Sequence, residues 1–549
     1  MGLISFFGFT LLVAGIAWYA TRGTDENSSD GYFLGGRSLT ATVIAGSLLL
    51  TNLSTEQIVG LNGAAYSEGI LVMAWETLAA IAMVVTAVFL LPRYLKGGLT
   101  TVPQFLARRY AVSTKTIASA LFLSGYVVVL LPIVLYSGGL AFSAMFDLPG
   151  LMGVSKTSAL WISVWSIGIV GSIYAIFGGL KAVAVSDTIN AVGLLIAGLM
   201  IPIFGLMFIG DGSIMTGLST LINENPEKFN SIGSETASVP FATIFTGMML
   251  VQLFYWGTNQ AIIQRALAAK DLKEGQKGLI LAAFIKILGP LIVVLPGVIA
   301  FHIFQGQLDV PDEAYPRLVA KVLPAGLVGF FAAVLFGAIL SSFNSALNSS
   351  VTLFGVDIYK EHIKKDATER QIVRAGKTFG VVLAILAMFI APAIANAPDG
   401  LFGYLQEING CYSIPIFTII IVGYLTKRVP AIAANIGIAF GAILYFISQF
   451  VLKPNMVKSA LAKAEASGVT DAAALEVIEK TAYPHFLHVM AILFVLNVIM
   501  MLVIGKISPR TTDYEQEYTK QVDISPWKFV YPVGGLVVAI VIGIYIYFA

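Results

Sequence analysis

The stretch Ser47-Leu-Leu-Leu-Thr-Asn-Leu-Ser-Thr-Glu-Gln57, followed by Gly60, Gly63 and Ala64, decides how this chain is read. It lies inside an apolar run from 38 to 66, long enough to cross a bilayer. Polar residues nevertheless cluster where the apolar middle belongs. In hydrocarbon an unwound backbone survives only where it lines a cavity or meets protein. The stretch therefore predicts a broken helix that frees carbonyl oxygens and amide hydrogens at half depth. Gly60 and Gly63 fit that break, and fit equally the close helix packing of small residues.

Outward from this stretch the whole chain reads as solvated by lipid. Of 549 residues, 57% are hydrophobic and 12% charged, with mean hydropathy +0.85. An ordinary soluble chain carries about 25% charge. One cysteine, Cys411, excludes a disulfide scaffold, and a net charge of +2 gives no basis for a nucleic-acid partner. The apolar runs are continuous and do not alternate, which favours helices over a barrel. Fourteen spans are expected, near 2–20, 38–66, 70–95, 116–145, 157–178, 182–209, 238–264, 278–305, 324–357, 372–396, 400–424, 429–452, 484–505 and 529–548. The first has no basic n-region and runs into Arg22, so it reads as a span and not as a signal peptide. The segment 455–482, rich in Ala and charge, reads as a surface helix. The whole, 1–549, is expected to be one membrane domain.

With the N-terminus outside, most of the 33 Lys and Arg fall in the loops on the inner side, Arg265 among them. This bias places both termini outside the cytoplasm. Short loops suit a bacterial inner (plasma) membrane.

Ionisable groups in a span cost about 2.5–3.5 kcal/mol each on insertion scales, so they mark function. Here they are Glu56, Glu76, Asp187, Lys286 and Glu407. The seventh span has its own interruption, Gln252-Leu-Phe-Tyr-Trp-Gly-Thr-Asn-Gln260. Five spans separate it from the first break, which fits two inverted five-helix repeats. The ninth span carries a hydroxyl and amide face from Gly337 to Ser350. Its Ser341 and Ser342 hydroxyls, with carbonyls of a neighbouring unwound helix, would make an oxygen cage for a hard cation. The plainer reading has each serine bonding back to its own helix. His485 and His488 read as interfacial polar residues before they read as metal ligands.

At these residues the chain resembles the solute:sodium symporter family, in its sodium/glucose branch and near the bacterial sodium/galactose symporters. The matching strings are Asn52-Leu-Ser-Thr-Glu-Gln57, Gly178 to Asp187, Phe254 to Arg265, Ala283-Phe-Ile-Lys286, Ser341-Ser342 with Asp357-Ile-Tyr-Lys-Glu361, and Tyr404-Leu-Gln-Glu407. They occur in the family's order between about 30 and 430. The resemblance implies an all-α polytopic membrane protein of LeuT type: an extra helix at 2–20, a first repeat at 38–209, a second at 238–424, and three further helices at 429–548. It implies a sodium site from the carbonyls of Leu50, Leu53 and Ala338 and the hydroxyls of Ser341 and Ser342, with Asp187 on the sodium path. It implies a sugar site of Asn52, Gln57, Glu76, Gln252, Lys286 and Gln406, with Tyr255 under the sugar, Trp256 beside it, and Leu61, Trp75 and Phe402 as outer lid. Ala79 stands where the galactose carriers have a sugar-contacting Ser, and Gln252 where they have Asn.

The expected function is sodium-coupled import of a hexose such as galactose or glucose by alternating access. Sodium is the co-transported ion, the partners are a small sugar and the bilayer, self-association is left open, and no organic cofactor is expected. Amides, carboxylates, an ammonium and an aromatic plate suit a ring of hydroxyls. An anion would want Arg or helix N-termini, and no mid-span Arg is seen. Inositol, another sugar derivative, an amino acid, a nucleoside or a sialic acid are the alternative cargoes, proton coupling the alternative drive, and a transporter-like sensor the remotest reading. No nucleophile–base pair points to an enzyme.

Overall fold

A computed structural model describes residues 2–23, 27–146, 148–324, 326–396 and 401–549. The described chain is all-helical apart from a single backbone bridge between Leu39 and Ala269. Among the described residues ten helices are long and apolar enough to cross a membrane, or twelve when two bent pairs each count as one span. The first helix, Gly2–Thr21, has the 20 residues of a crossing, whereas Ala41–Asn52 is too short to cross alone and is continued beyond the break by Thr55–Glu68. Residue 400, where the eleventh expected span begins, lies outside the described residues.

Large apolar side chains such as Trp18, Ile173, Ile196, Phe389, Ile443 and Ile542 stand exposed around the bundle, as lipid-facing helix surfaces require. The interior is largely apolar but holds polar faces within it. The Val328–Thr352 helix buries Ser341, Ser342, Asn344, Ser345, Asn348, Ser349 and Ser350. It packs against the long Lys156–Ile209 helix, which also packs against Ala41–Asn52.

Three interruptions position the site. The first separates Ala41–Asn52 from Thr55–Glu68. Leu53 (φ −76°, ψ 64°) leaves helical geometry, and Ser54 N donates to the Asn52 carbonyl at 2.8 Å. The Leu50 carbonyl thereby loses the donor that a continuous helix would give it. The second separates Phe241–Gly257 from Gln260–Leu267 with a 48° bend. Asn259 caps the new half-helix, its side chain accepting from Ala261 N at 3.0 Å and from the Tyr126 hydroxyl at 2.6 Å. The third is Gly179, at φ 58°, which breaks Lys156–Ile209. A side chain there would strain the backbone and meet Tyr32 at 3.1 Å.

Two expectations need correction. The segment 455–482 is not one helix: Lys453–Ala466 and Ala472–Thr481 are separated around Gly468, at φ 83°. Arg265 is not in an inner loop: it lies in the Gln260–Leu267 half-helix, fully buried. The bend at Thr258–Asn259 turns this half-helix into the bundle, which the charge count along the sequence does not register.

Candidate solute and sodium sites

The two broken helices meet. Asn52, the last residue before the first break, donates from Nδ2 to the Tyr255 hydroxyl at 3.2 Å. Around them lies a chamber of about 50 Å3 lined by residues of both breaks, including Asn52, Glu56, Gln57, Gln252, Tyr255 and Gln406. Trp256 and Asn259 also line it. This is room for a few water molecules.

Trp75 and Phe402 line this chamber and also a second cavity of about 1370 Å3. Their rings meet edge to face, 5.2 Å apart at 84°. They are the wall between the two spaces. Leu61, fully buried, lines the larger cavity. Gly60 permits the wall: a Cβ there would lie 2.6 Å from the Phe402 Cβ. Gly63 likewise admits Asp312 and its backbone. Both glycines serve close approach.

Glu76 and Lys286 are not on the chamber wall. They form a buried ion pair behind it, Nζ to Oε2 at 2.5 Å. The other carboxylate oxygen accepts from Gln57 Nε2, so Gln57 screens Glu76 from the chamber. Gln252 is spent at both ends, donating to the Trp75 carbonyl at 2.9 Å and accepting from Trp256 Nε1 at 3.1 Å. Ala79 is buried and offers no hydrogen bond. Glu407 stands toward the larger cavity, paired with Lys453 at 2.6 Å. His488 meets the Thr246 hydroxyl at 3.1 Å and His485 caps Leu487 N at 3.4 Å.

On the other side of the first break, Ser342 Oγ donates across to the Thr51 carbonyl at 3.0 Å and does not bond back to its own helix. Ser341 Oγ is buried with no hydrogen-bond partner. Leu50, Leu53 and Ala338 are buried here as well. A freed carbonyl and an orphaned hydroxyl fit a small hard cation. Asp187 accepts from Ser47 Oγ at 2.7 Å, and Ser47 in turn accepts from Arg265 Nε at 3.2 Å. Arg265 also donates to Ser345 Oγ and the Ala261 carbonyl.

The family strings that stand apart from the chamber hold the bundle together. Asp357 accepts from Thr101 at 2.9 Å and Ser119 at 3.0 Å, and Lys115 lies 3.9 Å from Asp357 and 2.7 Å from Glu361. Glu56, Asn259, Asn409 and Tyr412 line the chamber but are absent from the site expected from sequence. Of these, Glu56 carried a signal as a charge inside a span, and Asn259 as part of the second interruption.

A multi-pass helical membrane protein with a walled chamber between two broken helices is a carrier, not an enzyme. The chain belongs to the sodium:solute symporter family, whose model matches residues 32–441. It is a sodium-coupled solute symporter. It is 46% identical over 543 residues to the uncharacterized symporter YidK of Escherichia coli (strain K12), covering 99% of this chain and 90% of that one. It is 34% identical over 456 residues to the sodium/glucose cotransporter of Vibrio parahaemolyticus, covering 78% and 81%. A sodium-coupled sialic acid symporter, solved with substrate in an outward-open state, shares the fold at TM-score 0.69 and 19% identity, over 93% of this chain and 99% of that one.

Proposed function

We propose that this symporter imports a hexose such as galactose or glucose, or a closely related polyol, with sodium as the driving ion. The observation that carries this reading is the chamber wall: amides of Asn52, Gln57 and Gln406 beside the ring of Tyr255, with no Arg or Lys among the described residues on it. Hydroxyls are read by amides and stacked on aromatics. The 34% identity to a protein named for sodium and glucose supports it. The sodium ion sits among the carbonyls of Leu50, Leu53 and Ala338 and the hydroxyls of Ser341 and Ser342, and leaves past Asp187. Trp75, Phe402 and Leu61 form the outer lid; Tyr255, with Trp256 beside it, forms the inner gate.

The chain crosses the inner membrane fourteen times with both termini outside. The repeats 38–209 and 238–424 rock against each other. The larger cavity is then an outer vestibule. Glu76 and Lys286 reach the sugar once Gln57 swings aside. A charge falling through 100 mV is worth about 2.3 kcal/mol, and a tenfold sodium gradient about 1.4 kcal/mol. One sodium per cycle thus supports roughly 500-fold accumulation.

The test is uptake into proteoliposomes under an imposed sodium gradient, with galactose, glucose and inositol compared. Sodium-dependent accumulation of one of them is expected. A gradient that moves none of them, or uptake driven equally by protons alone, overturns the reading.

A further inference from the structure

Among the described residues on the chamber wall, Glu56 is the one that bears a carboxyl group. Its residue is 7% exposed, and Oε2 is buried with no hydrogen-bond partner. The nearby cations are committed elsewhere: Lys286 to Glu76 at 2.5 Å, and Arg265 to Ser47, Ser345 and the Ala261 carbonyl. Leu130 and Leu405 on the same wall offer nothing polar.

The amides around Glu56 sharpen the point. Gln252 is satisfied at both ends, Gln57 gives its nitrogen to Glu76, and Asn259 Oδ1 already accepts from Tyr126 and Ala261. Asn52 spends its nitrogen on Tyr255, and its Oδ1 is buried without a partner. The two orphaned atoms on this wall are both acceptors. A buried carboxylate oxygen left unpaired is costly. A ligand that brings a donor removes the cost, and one that brings a second negative charge adds to it.

Resting on the reading of this chamber as the solute site, we propose that Glu56 is a specificity-determining residue that reads a donor on the solute. The chamber takes an uncharged or cationic polyol that gives a hydroxyl or N–H hydrogen to Glu56 Oε2 and another to Asn52 Oδ1. It turns away the anionic relatives of the same solute.

A matched series tests this: galactose, galactosamine and galacturonate share one ring and differ in charge. Binding to the purified full chain is read as the solute-dependent thermal shift in saturating sodium. The wild type is expected to bind the first two, and galacturonate about tenfold more weakly or worse. The E56Q variant keeps the shape and loses the charge. It is expected to weaken galactose and galactosamine about tenfold, as loss of a charge-assisted hydrogen bond does, and to narrow the gap to galacturonate. The sodium-only shift reports folding. If E56Q loses that shift, E56D, which withdraws the carboxylate by one methylene, takes its place: it is expected to weaken galactose and galactosamine in the same way and to leave galacturonate the weakest of the three. Wild-type binding of galactose with unchanged affinity in the variant overturns the role of Glu56 and leaves the sugar reading standing. Preference for galacturonate overturns it too. A wild type that binds none of the three overturns both.

Discussion

Asp187 and Arg265, both fully buried, share one hydroxyl: Ser47 Oγ donates to Asp187 Oδ2 at 2.7 Å and accepts from Arg265 Nε at 3.2 Å. Their opposite charges are thus coupled through a serine. The chain of contacts continues from Arg265 to Ser345, from Ser345 to the Thr51 hydroxyl at 2.9 Å, and from the Thr51 carbonyl to Ser342 at 3.0 Å. It ties the acid to the first helix break. A hydroxyl relay lets either charge leave without first separating a direct ion pair.

Removing that hydroxyl with S47A should therefore disturb both ends. Two buried charged groups lose a partner, at about 1–3 kcal/mol. Thermal unfolding in detergent should show a lower midpoint, and the sodium concentration for half-maximal stabilisation should rise. S47T, which restores the hydroxyl, should recover most of both. Sodium dependence that stays fixed in S47A would separate Asp187 from the sodium path.

The proposed cage makes a second prediction. Ser342 already spans the break to the Thr51 carbonyl, while Ser341 holds an unpartnered oxygen. Loss of one oxygen ligand, worth about 1.4 kcal/mol, weakens sodium about tenfold. S341A should do this with the smaller loss of stability, because the Ser341 hydroxyl makes no close hydrogen bond and reaches only towards Asp187. S342A should weaken sodium and lower the unfolding midpoint together. Sodium titration of the thermal shift for the two variants checks the difference in kind.

The buried pair Glu76–Lys286 should behave unlike a surface bridge. Removing one partner leaves an uncompensated charge among helices and costs about 3–5 kcal/mol. E76Q and K286M alone should each unfold at clearly lower temperature than the E76L/K286M double variant, in which neither charge remains. All three should lose solute uptake. Equal stability of single and double variants would show that the pair is not coupled in the folded protein.

The sequence made some of this geometry visible and hid the rest, for physical reasons. Polar residues from Ser47 to Gln57 and from Gln252 to Gln260 stand out because lipid tolerates so few, and the structure breaks the helices at Leu53–Ser54 and Thr258–Asn259. Arg265 was hidden because it precedes a run of loop lysines, and a 48° bend has no signature in hydropathy. Glu407 read as a mid-span charge because its partner, Lys453, lies far along the chain. Glu56 and Gln57 are neighbours on one helix turn, about 100° apart around its axis. Composition registers both, yet their partners differ: Gln57 screens Glu76, and Glu56 Oε2 has none. The larger cavity needs the Lys453–Ala466 and Ala472–Thr481 helices in place, a tertiary arrangement that no local pattern encodes.

The wall between the two cavities yields the last prediction. Gly60 sits where a Cβ would come within 2.6 Å of the Phe402 Cβ, and Phe402 in turn holds Trp75 edge to face. A methyl at this position cannot share that space with the closed wall. The near atom is the first carbon of the Phe402 side chain, so turning the ring does not relieve the contact. G60A should push Phe402 away from Trp75 and hold the wall open. In a C411S background, which removes the sole cysteine, the substitution L130C places a thiol on the chamber wall. A membrane-impermeant maleimide added from the vestibule side should label it about tenfold faster in G60A, the effect of a shift of about 1.4 kcal/mol between open and closed states. Solute at saturation should slow labelling in the background variant and less so in G60A. Labelling at the same rate in both would mean that Trp75 and Phe402 do not gate the chamber.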